Sequence, residues 1–69
     1  MKLFQLHYLD RTGAVILKRA HAARHDLDAL TEAEKGSRTH TVEVWEGGRR
    51  VARVKKGQIS RMAGARWGA

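Results

Sequence analysis

The chain has 69 residues and no cysteine, so its fold must hold together without disulfides or a thiolate zinc site. A core of this size stabilises a monomer only marginally. The sequence therefore predicts a single domain that gains further stability by self-association. No apolar run reaches membrane-spanning length, and Gln5, His7 and Asp10 interrupt the one at the N-terminus. We expect a cytoplasmic protein without a membrane partner.

The first part of the chain predicts a β-hairpin. Residues 2–9 alternate between apolar and polar side chains, which is typical of a strand with one buried face. Residues 10–13 read Asp-Arg-Thr-Gly and predict a chain reversal before a returning strand from Ala14 to Ala23. Alanine in 20–24 also favours helix, but the hairpin partner favours strand, which we prefer. The predicted buried side chains of the first strand are Phe4, Leu6 and Tyr8.

The residues from Asp26 to Lys35 predict a short helix. We expect Asp26 as the N-cap, Asp28 near the positive end of the helix dipole, and Gly36 at the close. A helix of about ten residues is marginal alone, so it must pack on a sheet. The expected contacts are Leu27, Leu30, and Ala33 or the stem of Glu34.

A second hairpin is predicted from Thr39 to Lys56. Its strands carry β-branched and aromatic residues, and Gly47-Gly48 gives a two-residue turn between them. The turn fixes the register. The expected pairs are Glu46 with Arg49, Trp45 with Arg50, Val44 with Val51, and Val42 with Arg53. A cation–π contact is possible in the Trp45 pair.

These elements predict an α+β fold of the order β-β-α-β-β. The economical arrangement has two layers, with one short helix on one face of a four-stranded, largely antiparallel sheet. Strand order stays open; if the second and third strands are parallel neighbours, the helix makes a right-handed crossover between them. Residues 1–56 form the domain, and residues 57–69 are expected to be a basic, flexible tail or one that a partner orders.

Three segments of the chain resemble short α-proteobacterial proteins of unknown function. They are Leu6-His7-Tyr8-Leu9-Asp10 with Gly13, the 26–35 helix, and Val42-Glu43-Val44-Trp45 followed by Arg49-Arg50-Val51-Ala52-Arg53. The resemblance covers residues 2–56 and implies the β-β-α-β-β plan. Because these proteins are uncharacterised, it implies no catalytic or binding residues.

The net charge of +7 lies entirely in the last third of the chain. Residues 1–46 hold seven basic and seven acidic side chains, whereas residues 47–69 hold seven basic ones and no carboxylate. Such asymmetry favours anionic partners. The candidate anion-binding residues are Arg49, Arg50, Arg53, Lys55, Lys56, Arg61 and Arg66, with Trp45 and Trp67 as candidates for stacking or partner contact. By alternation, Arg49, Arg53 and Lys55 share one strand face, and Arg50 and Lys56 share the other.

The sequence offers no pattern for catalysis, metal or cofactor binding. His21 and His25 are four residues apart, with Asp26 adjacent, which could place metal ligands on one face of a helix. We expect a strand at this position, where the spacing does not bring them together. These two histidines and the remaining ones, His7 and His40, are therefore interpreted as surface residues. No nucleophile elbow or phosphate loop is present. We also expect no pocket of about 300 Å³ or more in so small a core. The prediction is a non-enzymatic protein without cofactor.

Two binding functions remain. The first is a protein-interaction module or homodimer, suggested by the small core and the unprotected sheet edges. The alternative is nucleic-acid or other polyanion binding through the basic hairpin and tail. Lysine and arginine on an edge strand also prevent aggregation without binding anything, which is the simplest alternative to a basic site.

Overall fold

A computed structural model describes residues 1–57 of the chain. The elements are strands β1 (Lys2–Leu9) and β2 (Val15–Ala23), helix α1 (Asp26–Gly36), and strands β3 (Thr41–Glu46) and β4 (Arg49–Val54). The strands form one antiparallel sheet in the order β2-β1-β3-β4. The predicted α+β class and β-β-α-β-β order are confirmed, and residues 20–23 are strand, as expected.

β1 lies inside the sheet, between β2 and β3. β2 and β3 are therefore parallel but not neighbours, because β1 lies between them and pairs antiparallel with both. The arrangement with β2 directly beside β3 is wrong, since α1 carries the chain across β1. β1 carries the strongest apolar alternation of the four strands, and the central position gives it two neighbours. β2 and β4 are left as the edges.

The core lies between one sheet face and α1. Phe4 and Leu6 of β1 pack with Val42 and Val44 of β3, and all four are buried. The helix contributes small side chains to this layer, Ala29 and Ala33, and both are fully buried. The complete cluster also holds Tyr8, Ala23 and Val54, with Leu30, Val51 and Ala52 packed against it.

The helix contacts differ in part from those expected. Leu30, Ala33 and Glu34 pack as predicted, but Leu27 is 63% exposed. Successive helical residues turn by about 100°, so Leu27 lies about 200° around the axis from Ala29 and cannot share its face. The sheet contacts the alanine face of the helix, which leaves Leu27 in solvent.

The start of the helix is also shifted by one residue. The N-cap is His25, which makes no side-chain capping bond, and Asp26 is the first helical residue. Its carboxylate lies 3.7 Å from Lys2 Nζ and 3.7 Å from an Arg49 nitrogen. Asp26 therefore joins the helix start to the sheet by ion pairs, and the expectation that it caps the helix is wrong.

A β-bulge changes the register of the second hairpin. The pairs Glu46 with Arg49 and Trp45 with Arg50 are confirmed. Beyond them Val44 pairs with Ala52 and Val42 with Val54, so the pairs expected for Val51 and Arg53 are wrong. Val51 is the extra residue, and one inserted residue reverses the facing of every side chain that follows it.

The end of β4 is attached to the end of the helix. Gly57 N–H donates to the carbonyl of Ser37 at 2.8 Å, and the buried Ser37 hydroxyl donates to the carbonyl of Glu34 at 2.8 Å. Gly57, the first residue of the predicted tail, is thus tied to the domain. The predicted flexibility of the rest of the tail concerns residues 58–69, which lie outside the described residues.

Candidate functional site

The face of the sheet opposite α1 is not covered by any element within residues 1–57. Directly paired residues of neighbouring strands place their side chains on the same side of a sheet, so the pairing defines this face. We call it the open face. Its residues are Leu3, Gln5 and His7 on β1, Lys18, Ala20 and Ala22 on β2, Glu43 and Trp45 on β3, and Arg50 and Arg53 on β4.

Trp45 forms an aromatic pair with His7 on the open face. The two rings stack with their centroids 5.7 Å apart and their planes 23° apart. The indole Nε1–H donates to Glu43 Oε1 at 3.1 Å, which fixes the orientation of the ring. Both aromatic side chains are half-buried. The result is a planar, oriented surface on the open face.

Two arginines of β4 converge on Glu43. Arg50 Nη1 donates to Glu43 Oε2 at 3.2 Å, and Arg53 Nη1 lies 4.0 Å from the same oxygen. The bulge at Val51 is the cause, because it places both arginines on one face. The expectation that they lie on opposite faces is wrong. One carboxylate thus holds two guanidinium groups beside the aromatic pair, and the group keeps a positive charge.

Arg49 lies on the other side of the sheet. It forms a hydrogen-bonded ion pair with Glu46 and a longer one with Asp26 at the start of the helix. The hydrogen bond to Glu46 raises the pKa of Arg49 above its ordinary value, and the negative charge of Asp26 adds to this. Arg49 does not share a face with Arg53, contrary to the sequence prediction.

A shallow depression adjoins Trp45 on the open face. It has a volume of about 370 Å³ and is lined by Leu3, Gln5, His7, Lys18, Trp45 and Gly47. Lys18 forms no ion pair within residues 1–57. The depression therefore has an aromatic wall and an unneutralised positive charge.

A larger cleft lies at the end of the sheet where β1 turns into β2. Its volume is about 690 Å³, and the β1–β2 turn and the segment between α1 and β3 contribute to its lining. Arg11, Arg53 and Lys56 line it, together with His40. The cleft lies between loops and not inside the core, so it leaves the expectation of a core without such a pocket unchanged.

β2 is an exposed edge strand. Its apolar residues Val15, Ile16 and Leu17 are 44%, 53% and 50% exposed, respectively. Ile16 is the extra residue of a second bulge, between the pairs Tyr8–Leu17 and Leu9–Val15. Lys18 and Arg19 follow directly and are also exposed. This edge therefore combines an apolar stretch with two positive charges.

The structure brings only some of the predicted site residues together. Trp45, Arg50 and Arg53 share the open face, and Lys56 lines the cleft beside Arg53. Lys55 is exposed just beyond β4. Arg61, Arg66 and Trp67 lie outside the described residues.

Sequence reasoning missed His7, Lys18 and Arg11. Their proximity to the predicted residues depends on strand order, which places β1 beside β3. For His7 the sequence does carry a signal: apolar and polar side chains alternate over residues 2–9, which places His7 on the polar face of its strand.

Within residues 1–57, no group of three histidine, aspartate or glutamate side chains is placed to hold a metal ion. His21 lies on β2, opposite Phe4, and His25 lies beyond the strand end, so the two do not share a helical face. No helix in this part of the chain has the length and apolar character needed to cross a membrane. Comparisons with protein-family models, curated proteins and solved structures find no match.

Proposed function

We propose that this protein is a non-enzymatic binding module whose open face takes single-stranded nucleic acid. The observation that carries the proposal is the oriented pair of Trp45 and His7 on a sheet face that no element of residues 1–57 covers, between Lys18 on one side and Arg50 and Arg53 on the other. Aromatic side chains stack on unpaired bases, and flanking cations neutralise the phosphates.

The geometry favours a single strand over a duplex. A base that stacks on Trp45 must be free of its partner, and the depression beside the indole gives it room. The stacking surface is fixed before binding, because the hydrogen bond to Glu43 holds the indole in place. Since every base has an aromatic face, we expect little sequence preference. We keep a cytoplasmic location as part of the proposal, because nucleic acid is present there.

The test is a titration of fluorescein-labelled oligothymidine, followed by anisotropy at several salt concentrations. Trp45→Leu is expected to weaken binding by about 1–3 kcal/mol, the range for loss of one stacked base. Lys18→Gln and Arg53→Gln, each made singly, are expected to weaken binding and to reduce the slope of log K against log salt by about 0.7 per lost phosphate contact.

Arg49→Gln is the matched control, because it removes the same charge from the other side of the sheet. It is expected to leave the affinity nearly unchanged. Affinity that does not depend on salt, or equal losses for Arg49→Gln and Arg53→Gln, would show that the open face is not the binding surface. A duplex of the same length is expected to bind more weakly than the single strand.

The second candidate function is self-association through the edge of β2. It is favoured by the exposed stretch of Val15, Ile16 and Leu17 on the nine-residue strand β2, whose outer edge pairs with no other strand of residues 1–57. A second copy pairing with this edge extends the sheet across the dimer and covers the apolar stretch. Lys18 and Arg19 oppose the association by repulsion between copies, so the homodimer is expected to tighten as salt increases.

A further inference from the structure

The cleft at the β1–β2 turn brings together cations from distant parts of the chain. Arg11 lies in the turn, Arg53 near the end of β4, and Lys56 just beyond it. Arg11 and Lys56 form no ion pair with any carboxylate within the described part of the chain. Arg53 has one carboxylate contact, at 4.0 Å. The cleft therefore concentrates positive charge that its own carboxylates do not neutralise.

The carboxylate in the cleft wall is occupied within its own turn. Asp10 Oδ1 accepts hydrogen bonds from Thr12 N–H at 2.8 Å, the Thr12 hydroxyl at 2.6 Å and Ala14 N–H at 3.1 Å. Asp10 keeps its negative charge, but its hydrogen bonds hold it within the turn that carries Arg11, and no ion pair joins it to Lys56 or Arg53. The basic side chains of the lining outnumber this carboxylate.

Hydroxyl and imidazole groups complete the lining. The segment Thr39-His40-Thr41 contributes to the wall, and Thr39 Oγ1 lies 2.9 Å from His40 Nδ1. That contact leaves Nε2 of the imidazole for a ligand. The ring is held edge-on against Tyr8, with centroids 6.3 Å apart, so the imidazole has a fixed orientation.

From these groups we propose that the cleft is a phosphate-binding site. A phosphate group offers several acceptor oxygens and up to two negative charges, which suits guanidinium and ammonium groups that approach from different walls. The proposal goes beyond strand binding on the open face and stands without it. Because Arg53 belongs to both surfaces, the cleft is also in position to take the terminal phosphate of a strand that lies on the open face.

The primary experiment is an NMR titration of the ¹⁵N-labelled full chain with inorganic phosphate, against sodium chloride of equal ionic strength. We expect saturable shifts of the amides of Arg11, Thr12 and His40. Arg11→Gln and Lys56→Gln are each expected to weaken phosphate binding about tenfold, as loss of a charge-assisted hydrogen bond does. Both side chains are exposed, so neither change disturbs the core.

The control is Arg24→Gln, which removes the same charge at the opposite end of the sheet, about 24 Å away along β1. It is expected to leave phosphate binding unchanged. Amide shifts that do not saturate, or that sodium chloride reproduces, would overturn the phosphate site. Equal weakening by Arg24→Gln and Arg11→Gln would do the same, because it would show a response to net charge only.

A second arm separates the two sources of the phosphate. Oligothymidine with a 5′-phosphate is compared with the same oligomer ending in a 5′-hydroxyl, on the unchanged chain and on Lys56→Gln. An advantage of the phosphorylated strand that Lys56→Gln removes identifies a terminal phosphate as the ligand. Saturable binding of inorganic phosphate without that advantage identifies a free phosphate or small phosphomonoester. The inorganic arm gives its answer even if no oligonucleotide binds, so the failure of strand binding and the failure of the cleft are separate results.

Discussion

The ring of Tyr8 lies directly against the backbone of Gly36. A β-carbon built on Gly36 would be 2.5 Å from Tyr8 Cε2 and 3.3 Å from the hydroxyl oxygen. Gly36 is the last residue of α1, and its φ is not positive. Glycine is therefore needed here for close approach and not for a left-handed helix cap. The contact fixes where the end of the helix meets the central strand.

Gly36→Ala is expected to destabilise the fold by about 1–3 kcal/mol, the usual cost of overpacking a core contact. The ring of Tyr8 must move, and it is buried between β1 and the helix. Urea unfolding followed by circular dichroism measures the change. Gly48→Ala is the control, because its added methyl group meets nothing within 4 Å and its φ is not in the left-handed region. A loss of stability in Gly48→Ala as large as in Gly36→Ala would show that the close contact with Tyr8 is not the cause of the destabilisation.

Glu43 holds the two arginines that we propose to contact the phosphates of a bound strand. Glu43→Gln removes the negative charge that holds Arg50 and Arg53 but keeps an amide oxygen to accept from Trp45 Nε1. We therefore expect tighter binding of single-stranded nucleic acid, with a steeper salt dependence. The free energy of unfolding is expected to fall by about 1 kcal/mol, since the side chain is only 13% exposed and loses a charged hydrogen bond.

The control for this prediction is Glu46→Gln, which makes the same change in charge. Glu46 pairs with Arg49 away from the open face. The two variants are compared by oligothymidine titration and by urea unfolding. Equal gains in affinity for the two variants would show a general effect of net charge. Glu43 would then have no specific effect on binding at the open face.

The fold was predictable because its signals are local. The alternation of 2–9 defines β1, and Gly47-Gly48 sets the first two pairs of the second hairpin. The bulge was not predictable, because Val51 and Ala52 are both apolar and either satisfies the buried position opposite Val44. The faces of Arg50 and Arg53 depend on that choice. A single unpaired residue thus decided how the basic side chains are grouped.

The candidate site was predictable only in part, for a related reason. Trp45, Arg50 and Arg53 were identified from composition and charge. His7 and Lys18 join them only because β1 lies between β2 and β3, and strand order follows from how the helix packs, which no local pattern encodes. The cleft depends in the same way on loops that are far apart in sequence.

The turn between β1 and β2 is expected to weaken in acid. The hydrogen bond from the Thr12 side chain, with further ones from Ala14 and the turn backbone, holds the pKa of Asp10 below its ordinary value of 3.8. A carboxyl whose pKa is lowered by folding stabilises the fold above its unfolded pKa, and this contribution is lost as the pH falls through the folded pKa.

NMR titration of the Asp10 carboxyl carbon measures this pKa directly. Thr12→Val removes the hydroxyl donor and is expected to raise the pKa of Asp10 towards 3.8. Thr31→Val is the control, because the Thr31 hydroxyl donates to the Leu27 carbonyl within α1. An Asp10 pKa that is the same in all three proteins would show that the turn hydrogen bonds do not stabilise the carboxylate.

The two proposed functions, self-association through β2 and nucleic-acid binding, are expected to depend on salt with opposite signs. Bringing two copies of Lys18 and Arg19 together is unfavourable, and added salt screens that repulsion, so the dimer is expected to strengthen with salt as strand binding weakens. Sedimentation equilibrium at low and high salt measures the association constant.

Ile16→Lys, at a side chain that is 53% exposed, adds a charge to the apolar stretch and is expected to abolish the dimer. Leu27→Lys adds the same charge to an exposed helix position and is expected to leave the dimer intact. A monomer under all conditions would show that the β2 edge does not pair with a second copy. A dimer equally sensitive to both substitutions would show that its interface is not the β2 edge. In either case only the open face would remain as a proposed binding surface.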